Sequence, residues 1–334
     1  MSRVKKKGNP MSTAENVLRR TRAELLLAGI IGLLICHSGK VVAVDLPVYD
    51  HVVIVMEENK DYGQIIGSAD APYVNSTLKA EGANLTQMYG EEHHSEGNYF
   101  WLFSGSNQDV GFQDKIPATD ISASNLGQRL IKAGLSFKAY SEDLPAVGSK
   151  VNSAGLYARK HVPWVSFSNV PNGSTVSESS NLRFADFPAD YTKMPTVAFV
   201  IPNLDNDMHN GAPPGSVRAG DKWLQQHLDG YYQWAKQHNS LLIVTFDEDS
   251  QMHPGPTNPA DSDPHKRNRI PTIIAGAHVK HGEYAEGKGV NHVSLLRTLE
   301  AMYKLPKSGA QEVSVQAAGI SDDYVIRDIF ETMQ

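Results

Sequence analysis

The chain has 334 residues, 40% hydrophobic and 20% charged, a balance typical of a globular protein large enough to bury its own core. It carries one cysteine, Cys36, so neither a disulfide framework nor a thiolate metal centre organises it. Beyond position 43 there are 23 basic and 35 acidic residues; the resulting net charge of −12 argues against nucleic acid and anionic membrane surfaces as partners.

Arg19, Arg20 and Arg22 precede a twelve-residue apolar run from Leu25 to Cys36. Such a run is the core of a signal peptide and is short for crossing a bilayer. Val41 and Ala43 supply small residues for cleavage, so residues 1–43 are expected to be a signal peptide and Val44 the mature start. An uncleaved anchor is the alternative. Ile35 before Cys36 does not suit lipoprotein processing. Export into the periplasm or medium follows, with residues 44–334 as a single domain.

His51–Asn59 comes first among the structured elements: five apolar residues, Val52–Met56, then Glu57, Glu58 and Asn59. A strand apolar on both faces belongs inside a covered sheet, and its carboxyl end is where an open α/β sheet places its ligands. Tyr73–Ala83 predicts a helix. Tyr89–Gly105 begins as a polar cluster and continues into a buried helix, with Ser95 at its first turn. Free N–H groups there favour an anion, although a simple N-cap role for Ser95 stays open at this point. Ser122–Ala133 reads as an amphipathic helix with Leu126, Leu130 and Ile131 on one face. Leu135–Tyr140 reads as a strand ending in a further acid pair, Glu142 and Asp143.

Residues 145–190 are loop-like, yet Trp164, Phe167, Phe184 and Phe187 predict ordered packing over the site. Thr196–Ile201 is a buried strand. Asp221 is expected to cap a helix running to about Gln237, with Trp223, Leu224, His227, Leu228 and Tyr231 facing inward. Leu241–Phe246 repeats the first pattern, a buried strand tipped by Asp247, Glu248 and Asp249. Ile270–Ala275 is another strand, and the segment after His292 a helix with Leu295, Leu296, Leu299 and Met302 as its core face. Strands alternating with helices predict a three-layer α/β/α sandwich with a mostly parallel central sheet.

Two acid-tipped strands lying side by side would repel unless a positive charge sits between them, and a divalent metal is the simplest candidate. His93, His94, His209, His253, His265 and His292 follow strands in separate loops. Oxygen and imidazole donors without cysteine suit a hard or borderline divalent ion. A metal, a serine at a helix N-terminus and imidazoles together fit displacement at phosphorus.

At these residues the chain resembles the phosphoesterase family of bacterial and fungal secreted acid phosphatases and non-specific phospholipases C. The likeness is carried by Val55-Met56-Glu57-Glu58-Asn59, His93-His94-Ser95-Glu96-Gly97-Asn98-Tyr99, Tyr140-Ser141-Glu142-Asp143, Pro202 through His209, and Thr245-Phe246-Asp247-Glu248. It covers about residues 48–305. The resemblance implies an alkaline-phosphatase-like fold with one bound divalent cation, held by Glu58, Asn59, Ser95, Asp247 and Glu248. It also implies Ser95 as nucleophile, His209 and His292 as catalytic histidines, and Asn98, His93, His161 and Arg269 as substrate contacts. Three departures stand out. His94 and Gly97 replace two prolines, so a looser turn is expected; Arg269 stands where many relatives have histidine; Asn210 replaces an acid.

The activity so implied is that of a secreted phosphomonoesterase forming a phosphoserine intermediate. Its substrate would be a small phosphate ester or a phospholipid headgroup, with no nucleic-acid partner and no stable membrane insertion after leader removal. A phospholipase C-type phosphodiesterase is the nearest alternative, and an inactive phosphate-ester-binding protein the second.

Overall fold

The apolar run after His51 becomes a central strand. A computed structural model describes residues 46–110, 113–117, 120–251, 255–263, 266–285, 289–310 and 320–331; the expected signal peptide, His253 and His265 lie outside them. Among the described residues the main sheet has eight strands. They are β1 (His51–Glu57), β2 (Ala83–Leu85), β3 (Phe137–Ser141), β4 (Asn181–Arg183), β5 (Val197–Ile201), β6 (Ser240–Phe246), β7 (Thr272–Gly276) and β8 (Gly282–Tyr284). In space they run β8-β2-β7-β6-β1-β5-β3-β4.

β1 pairs in parallel with β6 from His51 opposite Ser240 to Glu57 opposite Phe246, and with β5 on its other side. That register brings the two acidic tips level at one end of the sheet. β5 with β3, β3 with β4, and β8 with β2 are also parallel; β7 alone runs antiparallel to its neighbours β6 and β2. The sheet is therefore mostly parallel. β1 is buried from Val52 onward and β6 throughout, as expected of strands covered on both faces.

The longer helices are α1 (Ser95–Ser104), α2 (Leu126–Lys132), α3 (Gly215–Ala235) and α4 (His292–Met302). Every residue of α1 is buried, which is why its sequence shows no amphipathic period. Phe103 on α1 meets Phe137, Trp164, Phe167 and Phe199 at ring-centroid separations of 5.4–6.1 Å. Thus the aromatics expected to order residues 145–190 do so through Trp164 and Phe167, while β4 within that stretch has no sequence signature. No helix among the described residues is long and apolar enough to cross a membrane.

Several elements differ from the sequence expectation. The helix near Tyr73 widens to π-type turns over Val74–Leu78. The Asp221 carboxylate lies against its start, accepting bonds from the N–H groups of Tyr73 (3.0 Å) and Val74 (2.8 Å). Asp221 therefore does not cap α3, which begins at Gly215, but braces a neighbouring segment. His227 is exposed on α3, its ring lying against Trp223 and Phe184, and Tyr232 is buried further along. α2 starts at Leu126 because Asn125 caps it, its side chain accepting from Gln128 N at 2.8 Å; Ile131 is left exposed.

Candidate active site

The tips of β1 and β6 do converge. Asn59 N donates to Asp247 Oδ1 (3.0 Å), joining the two chain segments where they leave the sheet. α1 then delivers Ser95 between them: its Oγ lies 3.0 Å from Glu58 Oε2 and 3.2 Å from Glu248 Oε1. Glu58 also receives Tyr99 OH (2.6 Å) and Asn59 Nδ2 (3.2 Å); Glu248 receives His93 Nδ1 (2.8 Å) and His94 N (3.0 Å). Glu58, Asn59, Ser95, Asp247 and Glu248, five positions scattered over the sequence, are thus brought into one cluster.

The loop after β5 adds Asp207, which sequence reasoning left unassigned. Glu58, His161 and Asp207 offer one ligand atom each, all within 4.8 Å of one another. His161 Nε2 stands 3.0 Å from Glu58 Oε1 without hydrogen-bond alignment, and its Nδ1 stands 3.6 Å from Asp207 Oδ2. Its ring stacks on Tyr99 at 4.9 Å and 10°.

Burial dominates the electrostatics. It pushes the Glu58 carboxyl up to about 8, helped by the nearby Asp207, and Asp249 up to about 7. Burial likewise raises Asp207 and Asp247 well above the usual carboxylate range, with other site carboxylates adding repulsion. It holds the His161 imidazole well below its usual value, the positive charge of Lys160 adding to the effect. Asp207 Oδ2 and Asp247 Oδ2 are buried without hydrogen-bond donors. Crowded carboxylates with idle lone pairs, beside an imidazole kept neutral, fit a divalent cation.

An open cavity of about 400 Å³ leads to the cluster, lined by Asn59, His94, Ser95, Asp114, Lys160, His209, Glu248, Asp249 and Ser250. Lys160 was also missed from sequence. It pairs with Asp114 at 2.8 Å; burial works against its charge, but Glu58, Asp114 and Asp247 outweigh that and raise it. A lysine preceding the noted His161 was the available signal for it; Asp114 had none. Behind the cluster, Lys60 Nζ donates to Met208 O (2.7 Å) and Asn59 O (3.1 Å), tying together the loops that carry Glu58 and Asp207. Asn59, His94 and Met208 stand at φ +51°, +88° and +73°, so positive-φ backbone gathers where the ligating side chains are presented.

Asn98, His292 and Arg269 stand outside the cavity lining. The Oδ1 of Asn98 accepts from the N–H groups of Glu91 and Glu92, and its Nδ2 donates to Glu92 O, so its amide bonds the backbone. His292 lies behind β6, between Glu91 and Phe246 O. Burial opposes its charge, yet Glu91 outweighs that and raises its pKa. The Arg269 guanidinium stacks 3.8 Å over the Tyr62 ring and donates to Thr86 O, away from the cavity lining. Glu57 is buried with both oxygens lacking hydrogen-bond donors and belongs to the core side of β1. Glu142 and Asp143 brace the 203–206 turn through Asn203 and Asn206. Of the expected substrate-side histidines, His209 lines the cavity, while His161 and His93 stand against the carboxylates.

A mostly parallel α/β sheet of alkaline-phosphatase-like fold carries a serine at a helix N-terminus amid carboxylates at its carboxyl edge, and the chain's family and relatives make it a phosphoric ester hydrolase. The chain belongs to the phosphoesterase family, whose model matches residues 69–306. It is 48% identical over 264 residues to the phosphatidylinositol-3-phosphatase of Mycobacterium tuberculosis, covering 79% of this chain and 80% of that protein. It is 26% identical over 269 residues to an acid phosphatase of Aspergillus fumigatus, covering 75% of this chain but only 54% of the fungal one. Among solved structures, a protein of the alkaline phosphatase superfamily from Vibrio parahaemolyticus superposes with a TM-score of 0.53 at 16% identity, over 78% of this chain and 68% of that one. That likeness concerns the fold alone.

Proposed function

We propose that this is a secreted phosphomonoesterase of acid-phosphatase type, in which Ser95 attacks phosphorus and forms a phosphoserine. The observation that carries this reading is the Ser95 hydroxyl, held at the start of α1 between Glu58 and Glu248 and open to the cavity. Its proton has acceptors within hydrogen-bond reach in Glu58 Oε2 and Glu248 Oε1. Lys160, on the cavity wall, meets the negative phosphate. His209 lines the cavity, its backbone N–H held by Asp207 Oδ1 at 2.8 Å, and its imidazole would give a proton to the departing oxygen. Water then cleaves the serine–phosphate bond and frees the hydroxyl.

Glu58, Asn59, Ser95, Asp247 and Glu248 would hold a divalent cation, with Asp207 and His161 beside Glu58 as further donors. When bound, the cation supplies charge neutralisation and makes the serine more acidic. The Mycobacterium tuberculosis relative is named a phosphatidylinositol-3-phosphatase, a name that denotes hydrolysis of a phosphate monoester. That favours a monoester on a polyol over the phospholipase C alternative, and headgroup phosphates as the substrate class.

The test compares p-nitrophenyl phosphate with p-nitrophenylphosphorylcholine, with and without chelator, from about pH 4 to about pH 9. Faster turnover of the monoester, abolished by chelation and restored by one divalent metal, is expected. Preference for the phosphorylcholine diester would install the phospholipase C reading. Ser95→Ala should lower kcat by about a thousandfold or more; a parent turnover that is only background, and is unchanged by Ser95→Ala, would leave the binding-protein reading.

A further inference from the structure

Two of the departures in the nucleophile turn have structural counterparts. A proline at 94 could neither adopt φ +88° nor donate the backbone N–H that His94 gives to Glu248 Oε2 at 3.0 Å. At position 97 even a methyl group is excluded: a Cβ there would overlap the Glu92 carboxylate and stand 3.0 Å from its Cγ. Glu92 cannot easily swing aside. It is buried, and its Oε2 accepts from Trp101 Nε1 (3.2 Å) and Asn107 Nδ2 (3.0 Å).

The two segments grip each other in both directions. Asn98 on α1 bonds the backbone of Glu91 and Glu92, while the Glu92 side chain reaches back over Gly97 to Trp101. Asn268 Nδ2 adds a bond to Glu92 O at 2.9 Å. A buried carboxylate fills the room a side chain at 97 would take. Ser95 lies two residues before Gly97, so the seat of Glu92 sets the height of the first turn of α1 against Glu58 and Glu248.

Resting on the reading of Ser95 as nucleophile, we propose that Glu92 is a positioning residue for it, acting through the close approach that Gly97 permits. The pair is matched: a larger residue at 97 is tolerated only with a smaller one at 92.

The test is a double-mutant cycle with p-nitrophenyl phosphate, reading kcat and KM separately. Gly97→Ala is expected to lower kcat about tenfold or more with KM within about twofold, as a misplaced nucleophile would. Glu92→Gln, which keeps shape and an acceptor, should stay within about twofold of the parent. Adding Glu92→Ser to Gly97→Ala should raise kcat by about threefold or more over Gly97→Ala alone. A Gly97→Ala enzyme with the parent's kcat, or a double variant showing only the product of its single effects, overturns the pairing. Should Gly97→Ala not fold, recovery of folding in the double variant supports the pair and its failure overturns it. If the parent turns nothing over, the functional reading falls separately. Crystal structures of parent and Gly97→Ala then decide: Ser95 Oγ drawn away from Glu58 and Glu248 supports the proposal, and an unmoved hydroxyl sinks it.

Discussion

Around Ser95 the decisive quantity is the number of carboxylates kept from water. Glu58, Asp207, Asp247 and Glu248 are each nearly inaccessible. Burial pushes the Glu58 carboxyl up to about 8 and Asp249 up to about 7, above their ordinary 4.5 and 3.8. Folded-state pKa values above the unfolded ones mean that the folded form binds the extra protons. The stability from these groups is complete below about pH 4 and is lost as pH rises through 7 and 8. The chelated protein should therefore melt several degrees lower at about pH 8.5 than at about pH 5.5, and saturating divalent cation should shrink that gap. Thermal scans at the two pH values, with and without metal, check this; a chelated protein that grows more stable with rising pH would contradict it.

At the level of elements, single polar side chains settle where backbone segments begin and bend. Asp221 satisfies two N–H groups at the start of the 72–81 helical segment, so Asp221→Ala leaves buried donors unmet. A loss of about 1–3 kcal/mol is expected in denaturant unfolding, with KM unchanged because Asp221 is absent from the cavity lining. Asn125→Ala removes the cap of α2 and should cost about 1 kcal/mol by the same measurement. A larger effect on KM than on stability in either variant would mean that these elements do more than support the site.

For the molecule as a whole, Arg297 links α4 to the last described segment. Its guanidinium donates to Glu300 Oε2 (2.8 Å), Ser308 O (2.9 Å), Asp322 O (2.9 Å) and Asp322 Oδ1 (2.7 Å). Arg297→Met would leave the buried Glu300 carboxylate without its cation and with only the Ser308 N–H, at a cost of about 3–5 kcal/mol in global unfolding. Co-substitution of Glu300→Leu should recover much of that loss, since a buried pair replaced by apolar groups is often neutral. Unfolding curves of the single and double variants test the coupling. β7 also matters at this scale: it turns antiparallel beside β6, and residues 268 and 269, just before it, are held against residues 86–92.

Continuous apolar strands with acids at their ends could be read directly from sequence, because burial on both faces leaves a run of β-branched residues and the sheet's carboxyl edge is the only place for the acids that follow. Helix α1 and its leading serine were readable for the same reason. Direction was not. His161, His209 and His292 are alike as letters, yet one stands against Glu58, one lines the cavity and one is locked behind β6 by Glu91. Asn98 bonds the backbone of Glu91 and Glu92, and Arg269 stacks on Tyr62 and donates to Thr86 O. Asp207, Lys160 and Lys60 took on meaning only once the loops after β1 and β5 and the turn at 159–161 met. Local sequence determined which segments are strands and what chemistry their ends carry; long-range packing decided which lone pairs face one another, because that depends on loops far apart in the chain.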